Sequence, residues 1–397
     1  MNNHLIRLCL VFTPMSQLAF GQSDLINKIK IAPDNEVVRI ARKLSGLGIE
    51  SSAAIAELTR KLKSKNVNVR GACVDAIPYL GKPSKQTIQA VIDSMQMGGT
   101  IFPDAMPYGE VAGQALAKMG PDVVPIVVNN LETKSDLVYF GIAGVLHRLG
   151  PQAKEAVPAL MTRLGPGKRQ WSTVYALCGI GPPAHPATAA LIDLLESDRF
   201  NTVCIACRAL AAIGPRAKGA KRRLVELVSH GNVSERGRAL QALGGIGVAN
   251  EPEVKPLFEK GVVAFHQTIK ERAVLGISCL GAEGKPFIPL LEQTLLDPAF
   301  HNKPYSAWAL YQVGGSKEKV METLLSCLDD PTFELDVIEK LGKLGSDAKK
   351  AVPKLMRYLG SSDDGLKSSV IQALGAIGLE KETRKRIQQI SIEGDYL

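Results

Sequence analysis

Cys204 and Cys207 are the only closely spaced pair among the seven cysteines of the chain, and a Cys-x-x-Cys pair can hold zinc or carry redox chemistry. A structural zinc site needs four ligands, and neither a second pair nor a nearby histidine completes this one. A redox pair normally sits where a strand meets a helix, whereas the stretch from Thr202 to Leu210 has the pattern of a helix interior. A disulfide between residues three apart on one helix would also be poorly shaped. Cysteine here, and at Cys73, reads as a small buried hydrophobe. The sequence contains no Walker loop, no Gly-x-Ser-x-Gly elbow and no Gly-x-Gly-x-x-Gly after a strand. It therefore nominates no catalytic residue, no metal ligand and no cofactor.

The basic residues offer a second chemistry. The chain carries 48 basic and 39 acidic residues, a formal charge of +9, a bias that permits anionic partners without requiring them. Arg216, Lys218, Lys221, Arg222 and Arg223 precede the first acid, Glu226. Further clusters are Lys61, Lys63, Lys65 and Arg70, and Lys381, Arg384, Lys385 and Arg386. Single-stranded nucleic acid favours a continuous positive groove with interleaved aromatics. No aromatic lies between residues 216 and 223, and the clusters are far apart in sequence. A solvated polar face is the favoured reading, and a polyanion-binding surface that includes Arg222 and Arg223 is the alternative.

The elements that must carry these residues follow from an internal repeat. An apolar residue followed by glycine recurs at Gly48, Gly81, Gly120, Gly150, Gly181, Gly214, Gly247, Gly281, Gly314, Gly345 and Gly378. The period is about 33 residues, with one spacing of 39 between Gly81 and Gly120. Residues one and four positions before the glycine are apolar in all eleven units. Position −7 departs only at Gly113, and position −8 only at Thr173 and Ser306. Apolar residues at −8, −7, −4 and −1 form one face of an α-helix, and the glycine is its C-terminal stop. Position −5 is mostly alanine, which would let a neighbouring helix approach closely. A short turn follows, then a second helix often opened by proline, as in Val157-Pro158 and Val352-Pro353. Neither helix buries its apolar face alone, so stacked units must supply the core. The sequence predicts an all-α fold, an α-solenoid with an armadillo-like superhelical path built of about eleven two-helix repeats.

The stretches Val145–Leu160 and Leu341–Leu355 carry the pattern Leu-Gly-x-x-Ala-x-x-Ala-Val-Pro-x-Leu most fully. In these residues the chain resembles HEAT repeats, in particular the short variety named after phycobilisome lyases. The resemblance spans roughly residues 34–392. It implies a scaffold that binds a protein or peptide on a face lined by the second helices, and only more remotely a bilin-lyase-like enzyme. Di-iron hydroxylases that resemble this family carry repeated His-Glu pairs, and none of the six histidines here is followed by glutamate.

The spacing of 39 marks an insertion around Met95–Tyr108, where Gly98, Gly99, Pro103 and Pro107 break any helix. Phe102, Met106 and Tyr108 could form an exposed apolar contact there, or fold back to cover a gap between repeats. Trp171 is a candidate of the same kind.

Finally, residues 1–21 carry Arg7, an apolar stretch and small residues at Ala19 and Gly21, the pattern of a cleavable signal peptide. The expectation is export to a periplasmic or extracellular location with residues 22–397 as a single solenoid. If the segment is not cleaved, the chain is cytoplasmic. No later stretch approaches the roughly 18 consecutive apolar residues of a membrane span.

Overall fold

The computed structural model describes residues 24–47, 50–101, 105–297 and 301–378. The proposed signal at 1–21, Phe102 and the basic cluster at 381–386 lie outside them. The chain divides into two compact units, residues 2–197 and 198–397. Each is a stack of helix pairs, with each A helix packed on the next A helix and, in most repeats, on the B helix that precedes it.

In the first unit the A helices are α1 (Asp34–Leu47), α3 (Val67–Ala76), α5 (Tyr108–Lys118), α7 (Asp136–Leu149) and α9 (Gln170–Ile180). They alternate with the B helices α2 (Ser52–Lys61), α4 (Lys85–Ser94), α6 (Val124–Asn129), α8 (Val157–Met161) and α10 (Thr188–Asp193). The second unit has the A helices α11 (Phe200–Ile213), α13 (Val233–Gly245), α15 (Gln267–Ser278), α17 (Lys303–Gln312), α19 (Glu334–Leu344) and α21 (Asp364–Ile377). Its B helices are α12 (Lys221–His230), α14 (Lys255–Val262), α16 (Ile288–Leu296), α18 (Lys317–Cys327) and α20 (Val352–Leu355). The only β-structure among the described residues is a two-residue antiparallel ladder of β1 (Thr100–Ile101) and β2 (Met106–Pro107) inside the insertion.

The repeat columns become the core. All eleven −4 residues, from Leu44 to Leu374, are 0% exposed, and the −8 column from Ile40 to Val370 is equally buried. Burying one such leucine or isoleucine contributes roughly 1.5–3 kcal/mol. The two polar residues in the −8 column are satisfied there. Thr173 Oγ1 lies 2.8 Å from the Tyr139 hydroxyl and donates to Arg169 O, while Ser306 Oγ lies 2.7 Å from Thr294 Oγ1. A buried hydroxyl with a partner avoids the desolvation cost of an unpaired one.

The ten repeat glycines from Gly81 to Gly378 all have positive φ, between +52° and +111°. At Gly214 the backbone, at φ +77°, ends α11 and enters a 3₁₀ turn, Gly214–Ala220, whose Ala217 and Ala220 are buried. The same turn recurs at Gly150–Ala156 and Gly345–Ala351, which explains the paired alanines of the motif. A proline in the first turn of the B helix, as at Pro158 and Pro353, forfeits only a hydrogen bond that the helix start could not make.

Backbones touch where small residues face each other. A Cβ on Gly244 of α13 would lie 2.1 Å from Gly276 O and 2.6 Å from Gly276 Cα in α15. Gly375, at the same −3 position of α21, has nothing within 4 Å of its missing Cβ. Opposite outcomes follow for one substitution at one repeat position. Gly244→Ala is expected to lower stability by about 1–3 kcal/mol by forcing two helices apart. Gly375→Ala is expected to raise it by up to about 1 kcal/mol through helix propensity alone. Urea-unfolding midpoints followed by circular dichroism measure both.

Candidate functional site

Stacking the A helices lines up equal repeat positions from one unit to the next. Glu110, Phe140 and Trp171 each stand ten residues before their repeat glycine, and in the structure they line one cleft across α5, α7 and α9. Gly141 and Gly144 keep the floor of the cleft low, and Tyr175 and Arg148 complete its walls, enclosing about 190 Å³. Phe140 and Trp171 are each 43% exposed, and Leu137 one turn earlier on α7 is exposed as well.

A ring stack forms one side. The His147 and Tyr175 rings lie 3.9 Å apart and the Tyr175 and Trp171 rings 5.1 Å apart, both pairs within 10° of parallel. This order depends on Gly179, whose added Cβ would lie 2.3 Å from His147 Cα. The absent side chain lets α9 approach α7 until the imidazole lies on the phenol ring. His147 Nδ1 is 2.9 Å from Tyr175 O, which fixes the imidazole further. At the opposite edge Arg148 forms an ion pair with Glu110 and donates to Gly144 O. The site thus offers flat apolar faces, held rigid, beside one charged pair. Such an arrangement suits binding by stacking and apolar burial, with orientation set at a polar rim.

The insertion lies next to this cleft, since Tyr108 immediately precedes Gly109 of its lining. Tyr108 does not form the exposed contact considered from sequence. Its ring is fully buried, and its hydroxyl lies 2.7 Å from Ser94 Oγ, with burial pushing its pKa up to about 12. Arg70 is 2% exposed, so the cluster with Lys61, Lys63 and Lys65 is not wholly a solvated face. Its guanidinium sits 4.7 Å from the Tyr108 ring centroid and donates to Ser64 O, Lys65 O and Gly98 O. Ile101 fills the space left by the missing side chain of Gly71. The insertion therefore folds back over α3, with Met106 half-buried on β2. Length and glycine content reveal a loop, but not that a buried arginine would anchor it.

The basic run in the second unit is largely matched by acids. Arg222 and Arg223 both reach Glu226, at 3.1 and 3.0 Å, and Lys221 bridges Glu251 and Glu253. Arg222 remains highly exposed, so its pair counts for little. Burial pushes the Cys73 thiol up to about 12, and the Cys207 thiol rises for the same reason. Cys204 is raised by desolvation despite Arg238 nearby. None of these three is held as a reactive thiolate. No group of three His, Cys, Asp or Glu residues among the described residues could hold a metal ion, and no single helix there is long and apolar enough to cross a membrane.

Sequence reasoning singled out Trp171 but missed Phe140, Tyr175 and His147. Their signal was present in the outward columns of the same register, at −10, −6 and −3.

No family model and no curated protein matches this chain. Among solved structures, it is similar to Kap95p in a complex with RanGDP, at 13% identity and a TM-score of 0.49 over 94% of this chain and 59% of that one. Kap121p bound to the extreme C-terminus of the protein phosphatase Cdc14p aligns at 15% identity and TM-score 0.39, over 96% and 48% of the two chains. The chain thus spans about half the length of these karyopherins. The CpcE–CpcF complex of phycocyanin lyase from Nostoc sp. PCC7120 aligns at 20% identity and TM-score 0.36, over 65% of this chain and 94% of that one.

Two stability effects separate anchor from surface. Arg70→Met strips three carbonyl oxygens of their donor and is expected to cost about 2–4 kcal/mol. Trp171→Ala, at an exposed site, should change stability by less than about 1 kcal/mol. Urea denaturation of the two variants tests the contrast.

Proposed function

We propose that this chain is a non-catalytic scaffold of HEAT-like repeats that binds a protein partner, and that the cleft on α5, α7 and α9 receives an apolar or aromatic side chain of that partner. The observation that carries this reading is the parallel stack of Tyr175 and Trp171, backed by the His147 ring, which lines one cleft together with exposed Phe140. Aromatic anchors in a preformed recess are the groups that concentrate binding energy in protein interfaces. Rings stacked before binding lose little rotamer freedom when a partner arrives. The Arg148–Glu110 pair at the rim supplies a donor and an acceptor for the partner's backbone.

A scaffold is favoured over an enzyme because no nucleophile, base and electrophilic group converge on this cleft. Export through the first 21 residues is part of the same proposal, and it would make the partner an envelope or secreted protein.

The test is selection of peptides on the full chain, with capture from the native host in parallel at moderate salt. Selected peptides should carry an aromatic or large aliphatic residue. They should bind Phe140→Ala and Trp171→Ala at least about tenfold more weakly. Leu335→Ala, an exposed apolar residue of the second unit, should leave binding unchanged. Peptides that bind both cleft variants as tightly as the parent chain would remove the cleft from the proposal.

A further inference from the structure

The second unit holds a different chemistry on the A helices α11, α13 and α15. Arg208 and Gln241 stand six residues before their repeat glycines, and Arg238 and Arg272 nine before theirs. Stacking turns these two columns into a block of neighbouring side chains. Arg238 Nη1 and Arg272 Nη1 both donate to Gln241 Oε1, each at 3.2 Å. Two guanidinium groups from different repeats therefore converge on one neutral oxygen. The stem of Arg272 is laid across α13 by Gly237, whose missing Cβ would lie 3.1 Å from Arg272 Cγ.

The neighbouring acids are engaged elsewhere. Glu235 closes the capping box of α13 by accepting from the Asn232 backbone. Glu271 accepts from Gln267 and Asn302. Neither Arg238 nor Arg272 has a carboxylate within ion-pair distance among the described residues. Burial, and then the charges of Arg272 and Arg208, pull Arg238 below the usual arginine range. Arg272 is lowered first by burial, which nearby Tyr305 and Glu271 oppose, with Arg208 adding to the lowering. Like charges are thus gathered in a half-buried place where each disfavours the others.

We propose that Arg238 and Arg272, with Gln241 between them, form a site for a phosphate group. A phosphate dianion presents several acceptor oxygens to forked guanidinium donors and cancels more of the accumulated charge than one carboxylate can. Partial exclusion of water strengthens each pairing. This site is independent of the aromatic cleft, which belongs to the other unit.

The experiment titrates the full chain with inorganic phosphate, at constant ionic strength set by sodium chloride, and follows thermal unfolding and calorimetric heat. Phosphate should raise the melting temperature where added chloride does not. Arg238→Gln and Arg272→Gln should each weaken phosphate binding by about tenfold or more. Arg222→Gln, which loses only an exposed pair, should bind phosphate as the parent does. In the absence of phosphate, Arg238→Gln should melt no lower than the parent, since it relieves repulsion. A purely structural arginine would instead lower the melting temperature, and that result, or phosphate binding unchanged in both glutamine variants, would overturn the proposal. Arg238→Lys keeps the charge but loses the fork, and it should fall between parent and Arg238→Gln. A phosphoserine peptide that binds more tightly than inorganic phosphate would assign the anion to a modified partner. One that binds no more tightly would assign it to free phosphate.

Discussion

Where an A helix ends, the chain passes through a left-handed backbone conformation before its 3₁₀ turn and B helix begin, and glycine adopts that conformation without the steric cost a Cβ would bring. All ten described repeat glycines have it. Because each A helix ends within five residues of the same repeat glycine, the −4 and −8 residues of successive A helices keep a common register. The core, the outward columns and both surface sites inherit their alignment from this stop.

That dependence explains what the sequence could disclose. Burial in a helix has a period, so the −4 and −8 columns were legible from apolar spacing alone, and even Thr173 and Ser306 occupy the buried places their register demands. The outward columns obey the same register but carry no uniform residue type, so Phe140, Tyr175 and His147 do not announce themselves. The insertion failed differently. Its glycines and prolines show where the helix breaks, yet Tyr108 and Arg70 are buried against one another by a contact 38 residues apart in sequence. Apolar periodicity is silent about a buried guanidinium, because its cost is offset by carbonyls that only the folded loop brings near.

Charge shows a similar division. The run from Arg216 to Arg223 is conspicuous in one dimension, yet Lys221, Arg222 and Arg223 each find carboxylates within the fold. Arg208, Arg238 and Arg272 are separated by roughly one repeat each and attract no notice as a linear motif. Stacking concentrates them. In a repeat protein the relevant charge density lies along columns about one period apart, not along the chain.

The backbone contact between Gly244 and Gly276 has a mechanical meaning. Helices separated by long side chains can rock and slide, because those side chains change rotamer as cushions deform. Where one backbone rests directly on another there is little left to deform, so the α13–α15 junction is a stiff joint. Arg238 and Arg272 are mounted on the two sides of that joint. An anion that bridges them meets a gap of preset width, and little of its binding energy goes into drawing the two repeats together.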